Sequence, residues 1–181
     1  MRVDMKNIFL FSLLFLFLFS SLKCNPRDEK LDEQKLKEHL INANRIMVKD
    51  ERQEIEEFLT HHNWNMDSTG TGLRYMIYEN GTGNKILMND SVALSGKIFL
   101  LDATLCMEYK KESPLKFYIG HKDVARGLEE AALLMKEGDK GRFVIPAHLA
   151  YGLLEDSDKI PGSTALYAEL ELLNVNSTFE K

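Results

Sequence analysis

A single short helical pattern interrupts a series of β-like segments in the C-terminal half of this chain, and this order constrains the fold more than any other feature. Alternating apolar residues mark strand candidates at residues 73–78, 90–100, 101–109, 115–120, 136–146 and 165–175. The one helical pattern, at 124–135, places Val124, Leu128, Ala131 and Met135 on one face. Six strands with one helix before the last two predict a small α+β domain.

The segment before this domain has a helical composition. No Gly or Pro occurs between Arg27 and Thr69, and Glu, Lys, Gln, Leu and Arg are abundant there. Two apolar stripes follow helical spacing, the first at Leu36, Leu40, Ala43 and Met47 and the second at Ile55, Phe58, Leu59 and His62. The stripes lose phase across residues 49–51, so we expect a bend or two helices within a helical segment at 36–66. The turn-rich residues 67–72 then lead into the β-rich domain at 73–176.

The N-terminal residues 1–23 have the pattern of an export signal. Arg2 and Lys6 precede fifteen mostly apolar residues at 8–22, and these hold five of the ten Phe of the chain. A spanning helix needs roughly 20 apolar residues, whereas a run of this length is typical of a signal-peptide core. The polar residues 24–35 that follow are typical of a solvated tether. We therefore expect an exported protein.

The cysteine at the end of this signal indicates how the protein is held. An apolar core that ends at a lone Cys resembles a bacterial lipoprotein signal, which implies that Cys24 carries a lipid and anchors the protein to a membrane, facing the periplasm or the cell surface. Lys23 departs from the pattern, because lipoprotein signals place Gly, Ala or Ser directly before the Cys. A short uncleaved anchor and an ordinary secretory signal remain alternatives.

Charge and cysteine content exclude several functional classes. The whole chain has a net charge of −5, and residues 24–181 have 20 basic and 27 acidic residues, a net charge of −7. An acidic protein without a Lys/Arg cluster is a poor nucleic-acid binder. The two cysteines, Cys24 and Cys106, are too few for a disulfide framework or a zinc site. The pair His61 and His62 lacks further metal ligands at a suitable spacing, so we expect no metal and no cofactor.

Two long motifs relate the chain to a known family. Residues 115–152 read LKFYIGHKDVARGLEEAALLMKEGDKGRFVIPAHLAYG, and residues 159–173 read KIPGSTALYAELELL. This ordered series resembles the FKBP-type peptidyl-prolyl isomerases. The resemblance implies a twisted antiparallel sheet wrapped around one short helix, and proline-containing polypeptides as substrates. The signal and helical segment further resemble bacterial lipoprotein members of the family, one branch of which is associated with gliding motility.

The resemblance also assigns roles to individual residues. Tyr151 matches the tyrosine whose hydroxyl lies near the substrate carbonyl, and Ala125 matches the position whose backbone N–H does so. Phe117, Val124 and Ile160 match apolar residues that line the proline pocket.

Other pocket positions depart from the family pattern. Leu94 and Ala168 replace a Tyr and a Phe, Leu115 replaces a further aromatic residue, Leu128 replaces a Trp, and Cys106 and Met107 replace a Phe-Asp pair. Each lost aromatic ring removes about 150–250 Å² of apolar surface from the wall of the pocket. We therefore expect a wider pocket and weak isomerase activity. A non-catalytic chaperone or assembly module is the alternative function. A third hypothesis makes the Leu36 to Met47 stripe a homodimer seam, although both stripes can also pack within one chain.

Overall fold

The computed structural model of the chain describes residues 26–151 and 160–176, and the side chains of 33–151 and 160–176. The signal and Cys24 lie outside these residues. Two helices and seven strands occur in the described part, with a short 3₁₀ turn at Ala147–Leu149. They are α1 (Pro26–His61), β1 (Asp67–Ser68), β2 (Arg74–Glu79), β3 (Ser91–Leu100), β4 (Leu105–Tyr109), β5 (Leu115–Tyr118), α2 (Arg126–Leu133), β6 (Lys140–Ile145) and β7 (Leu166–Asn176).

Helix α1 is one uninterrupted element of 36 residues. The alternative of two separate helices across residues 49–51 is therefore wrong, and a bend within one helix stays a prediction. Lys49, Asp50 and Glu51 change the phase of the apolar stripe, but none of them removes a backbone donor or favours a non-helical backbone. Neither helix within the described residues is long and apolar enough to cross a membrane.

The chain divides into two compact units, Met1–Met47 and Val48–Lys181. In the first unit, the apolar side chains of the described part of α1 are exposed, at 60% for Leu36 and 62% for Leu40. In the second unit, the end of α1 packs on the sheet, since Ile55 and Leu59 are only 4% and 6% exposed. The second stripe is thus an intramolecular packing face.

The seven strands form one antiparallel sheet, in which six follow the order β1-β2-β6-β7-β3-β4 and β5 pairs with β3. The long strand β3 is its organising element, because it pairs with β7 along one edge and with both β4 and β5 along the other. Strand β5 pairs with residues 91–94 of β3 and β4 with residues 96–99. This architecture, with α2 inserted before the last two strands, confirms the predicted α+β fold class.

Alternation along β7 separates two apolar clusters. Ala168, Leu170 and Leu172 belong to the main core, which also contains the buried side of α2. Tyr167 instead packs on the other face of the sheet against the end of α1, in a smaller cluster with Ile55. Adjacent strand residues point to opposite faces, so one strand contributes to both cores.

Helix α2 approaches the sheet closely at Gly127. A Cβ atom at this position would lie 2.3 Å from Ile145 Cγ2 and 3.2 Å from the Leu149 carbonyl oxygen. Only a glycine allows this contact, which fixes the start of α2 against β6 and the turn that follows it.

Candidate functional site

The five residues singled out from the sequence all belong to the main core or pack against it. Phe117 and Ile160 are buried, at 3% and 2% exposed. Val124, Ala125 and Tyr151 are partly buried and pack against the same cluster. They come from β5, from the segment before α2, and from the two ends of the stretch that links β6 to β7. All five residues therefore belong to the main core or pack against it, and their grouping into one site stays a prediction.

Two carboxylates fix the connection between β5 and α2. Glu129 Oε1, on α2, accepts a hydrogen bond from the Gly120 backbone N–H at 2.6 Å. Asp123 Oδ2 accepts one from the Tyr118 N–H at 3.3 Å. These bonds tie the segment that holds Val124 to the helix on one side and to the strand on the other.

Ala125 occupies the N-cap position of α2, with φ −55° and ψ 139°. Its carbonyl accepts hydrogen bonds from the backbone N–H groups of Leu128 and Glu129. No hydrogen bond within residues 26–151 and 160–176 uses its own N–H as the donor. This agrees with the general rule that the first N–H groups of a helix have no partner inside the helix.

Tyr151 follows the short 3₁₀ turn at Ala147–Leu149, which is held by hydrogen bonds within the turn. The N–H groups of Leu149 and Ala150 both donate to the Pro146 carbonyl, at 2.9 and 3.1 Å. The Tyr151 hydroxyl then lies 4.0 Å from Met107 Sδ, on β4. Tyr151 is thus placed by a short, internally bonded turn, with its hydroxyl directed at a thioether.

The positions that depart from the family pattern lie in the core. Leu94 and Ala168 are 0% exposed, and Leu128 is 4% exposed. Leu94 pairs with Leu115 across β3 and β5. Small and aliphatic residues therefore fill the places where the resemblance implies aromatic rings. Leu94, Ala168 and Leu128 are closed into the core, whereas Leu115 is only partly buried.

One residue near the site was missed from the sequence. The hydroxyl of Tyr109, on β4, donates to Met107 Sδ at 3.3 Å, so two tyrosines contact the same sulfur atom. Tyr109 is partly buried and packs against the main core. Alternation of Met107 and Tyr109 along β4 was the available signal, but only the pairing of strands shows what they face.

The described site residues are mostly apolar, with tyrosine hydroxyls and backbone amides as the polar groups. A carboxylate of Asp or Glu at the Met107 position would be a strong acceptor, whereas a thioether is a weak one. Such an arrangement can desolvate an apolar ring and direct N–H and O–H groups at a carbonyl oxygen. This combination of an apolar wall and polar donors is suited to binding a proline segment of a polypeptide.

The sequence comparisons agree with this geometry. A profile of the FKBP-type peptidyl-prolyl cis-trans isomerases matches residues 83–173, half of the chain. The chain belongs to this family. The matched FKBP-type region contains β3 to β6, α2 and most of β7, and includes all five predicted site residues.

Several FKBP-type relatives extend the similarity beyond this region. FkpA of Buchnera aphidicola is 28% identical over 162 residues, which cover 86% of this chain and 66% of the relative. A probable FKBP-type isomerase of Haemophilus influenzae is 28% identical over 170 residues, which cover 86% of this chain and 67% of the relative. FK506-binding protein 1A of Neurospora crassa is 38% identical over 84 residues, 46% of this chain. The chain spans about two thirds of the length of the longer relatives.

Solved FKBP-type structures share the fold. FkpA from Escherichia coli has a TM-score of 0.59 at 24% identity and covers 99% of this chain and 85% of its own. A peptidyl-prolyl cis-trans isomerase from Pseudomonas syringae has a TM-score of 0.61 at 27% identity. The match covers 74% of this chain and 96% of the Pseudomonas protein. Both neighbours support an FKBP-like domain.

Proposed function

We propose that this protein is a peptidyl-prolyl cis-trans isomerase that acts on exported polypeptides. The observation that carries the proposal is that Ile160 belongs to the main core and that Tyr151 and Ala125 pack against it. These residues come from separate segments of the chain, and each matches a pocket position of the family.

The reaction requires no nucleophile and no proton transfer. The barrier to rotation about an X–Pro bond, about 18–20 kcal/mol, comes from partial double-bond character. The planar amide is more polar than the twisted transition state, so an apolar pocket favours twisting. Phe117, Val124 and Ile160 supply this pocket in our proposal. The Tyr151 hydroxyl and the Ala125 N–H assist by binding the carbonyl oxygen as it rotates.

The replaced residues support a modest rate. Leu94, Leu115, Leu128 and Ala168 offer less aromatic surface than the rings they replace, and Met107 offers no carboxylate. Each lost ring weakens the contact with the prolyl ring. We therefore infer that transition-state binding is weaker than in family members with a complete aromatic pocket.

The same replacements favour a second candidate, a non-catalytic chaperone or assembly module that binds proline segments through the same apolar site. In both cases the protein works outside the cytoplasm, tethered by a lipid on Cys24 in the bacterial lipoprotein manner. A role in gliding motility rests on the sequence resemblance alone.

Dimerisation through the first unit is a further part of the proposal. Leu36, Leu40 and Met47 are 60%, 62% and 46% exposed, and they form one stripe on α1. Sedimentation of the full-length chain in detergent, compared with a Leu36→Glu, Leu40→Glu variant, tests the seam. A monomer at high concentration in the native chain would exclude it.

Catalysis is tested with the full-length chain in mild detergent. The assay follows the slow, proline-limited refolding of a model protein, which needs no protease. The native chain should accelerate this phase in proportion to its concentration. No acceleration would overturn the catalytic proposal and favour the binding module.

Ala125→Pro is the sharpest variant for this assay. The φ of Ala125, −55°, is one that a proline ring adopts, so the substitution removes the N–H at little backbone cost. We expect kcat/KM to fall about tenfold, the equivalent of one hydrogen bond. Ala125→Gly keeps the N–H and should retain activity, and Tyr151→Phe should lower it by a similar factor.

A further inference from the structure

The face of the sheet that packs against the end of α1 carries a second cavity. Its volume is about 300 Å³, near the lower end of the range for ligand-binding pockets. Its walls come from the end of α1, the turn between β3 and β4, and the start of β7. All of these segments belong to the second unit, Val48–Lys181. The five predicted isomerase residues are not among the described residues that line this cavity.

Four aromatic rings line the cavity. Tyr167 is only 8% exposed and lies in the middle of them. The ring centroids of Trp64, Phe58 and Phe99 are 5.2, 5.5 and 5.8 Å from the centroid of Tyr167. These three outer rings are partly buried. Because the face of an aromatic ring carries partial negative charge, the cavity offers an apolar wall that also attracts cations.

The same aromatic cluster already holds one cation of the protein itself. The Arg142 guanidinium lies 4.7 Å from the centroid of the Trp64 ring and 5.0 Å from that of the Tyr78 ring. Arg142 and Tyr78 belong to β6 and β2, and neither is among the described residues that line the cavity. The cavity itself, beside β7 and β3, is therefore open to a second cation.

One carboxylate lies at the cavity. Glu169 Oε1 accepts hydrogen bonds from Arg142 Nε at 3.1 Å and from the Tyr167 hydroxyl at 2.5 Å. Both bonds end on the same oxygen, and the side chain of Glu169 is 40% exposed, so Oε2 can face a further partner. Arg142 neutralises part of the charge of this carboxylate, so a cationic ligand gains more from the rings than from Glu169.

We propose that this cavity binds a trimethylammonium group, carried by a free small molecule or by a lipid headgroup. Such a group combines one positive charge with an apolar surface, which matches the ring faces and the carboxylate. It has no N–H donor, whereas a primary ammonium brings three and would leave some of them unpaired against apolar rings. An anion would be repelled by the ring faces and by Glu169. This inference goes beyond the proposed isomerase function and does not depend on it.

Trp64 is the single tryptophan of the chain, so its fluorescence reports directly on the cavity. The full-length chain in a maltoside detergent is titrated with choline chloride, and with sodium chloride at the same concentrations. We expect a saturable change with choline alone. The uncharged isostere of choline, 3,3-dimethylbutanol, should bind about tenfold more weakly because it lacks the charge. Calorimetry follows the same titrations. Equal binding of the isostere, or no saturable signal by either method, overturns the proposal.

Two substitutions with matched controls test the contacts. Phe99→Leu keeps an apolar side chain but removes a ring, and it should weaken choline binding about fivefold. Tyr118→Leu removes an exposed ring on β5, outside the cavity, and should leave binding unchanged. Glu169→Gln should weaken binding about threefold. Glu171→Gln changes the net charge by the same amount at a carboxylate that pairs with Lys111 at 2.7 Å, and should have no effect.

A second ring variant keeps the test decisive. If Phe99→Leu fails to fold, Phe58→Leu removes another ring of the cavity and is measured instead. Folded ring variants that bind choline as tightly as the native chain overturn the proposal. Equal losses in Glu169→Gln and Glu171→Gln also overturn it, since they would show a long-range charge effect instead of a contact. Phosphocholine identifies the source of the group: tighter binding than choline supports a lipid headgroup, and weaker binding supports a free small molecule.

Discussion

Glu51 Oε1, on α1, accepts a hydrogen bond from the backbone N–H of Ala147 at 2.5 Å. Ala147 is only 7% exposed and begins the 3₁₀ turn that ends two residues before Tyr151. The end of α1 therefore satisfies a buried donor of the turn that places a proposed catalytic residue, although the two partners are 96 positions apart in sequence.

We expect Glu51→Ala to lower the free energy of unfolding by about 1–3 kcal/mol, because it leaves the Ala147 N–H buried without an acceptor. Urea denaturation measures this change. Glu51→Gln retains an acceptor oxygen and should lower the free energy of unfolding by a smaller amount. Glu54→Ala, an exposed position on the same helix, is the matched control and should be nearly neutral. Equal effects at Glu51 and Glu54 would show that the hydrogen bond contributes nothing.

Gly127→Ala should be destabilising by about 1–3 kcal/mol, although alanine favours helices. The added methyl group would lie 2.3 Å from Ile145 Cγ2, so α2 must move away from β6. Gly70→Ala is the control, because its Cβ would meet no atom within 4 Å. Thermal unfolding of both variants checks the prediction, and a Gly127→Ala protein as stable as Gly70→Ala contradicts it.

Ala168→Phe returns an aromatic ring to a position where the family has one. Because Ala168 is fully buried opposite Ile98 and Phe143, we expect overpacking and a loss of about 1–3 kcal/mol. Leu173→Phe, at a half-buried position of the same strand, should reduce the free energy of unfolding by less than Ala168→Phe does. Denaturation and refolding assays are run together. An Ala168→Phe variant with native stability and higher activity would show that Ala168 lines an open pocket.

The buried hydroxyl of Tyr167 leads us to expect a loss of stability at high pH. Its hydroxyl donates to Glu169 Oε1 at 2.5 Å, and burial followed by this carboxylate raises the pKa of Tyr167 above its usual value. Above about pH 10 the unfolded chain releases this proton while the folded chain keeps it, so the free energy of unfolding falls as pH rises. Below this pH the contribution is fully present.

Tyr167→Phe should remove this part of the pH dependence. Urea midpoints measured between pH 8 and 11.5 should fall less steeply in the variant than in the native chain. Tyr78→Phe is the control, since Tyr78 is 48% exposed. Identical slopes for the native chain and Tyr167→Phe would contradict the proposed shift.

The sequence by itself determined most of the strands, the short helix and the family. Alternation predicted β2, β3, β5 and β7 within one or two residues at each end, because each of these four strands has one face towards the main core. The short, exposed strand β1 was expected to be a turn, and β4 and β6 begin four residues later than predicted. The two long motifs predict one site for Tyr151, Val124 and Ile160, and the structure places all three in or against the main core. These properties depend on local spacing and on residue type, which a sequence displays directly.

Only the tertiary structure decided how distant segments complete the site. Tyr109 faces Gly96 because of the register between β3 and β4, and Glu51 reaches Ala147 because the end of α1 packs on the sheet. Local patterns carry no record of such pairings, since register and packing are fixed by the sum of many long-range contacts. The sequence could not predict the full burial of Leu94 and Ala168 for the same reason. Apolar residues of this kind occur both in pocket walls and in closed cores, and the sequence pattern does not distinguish the two.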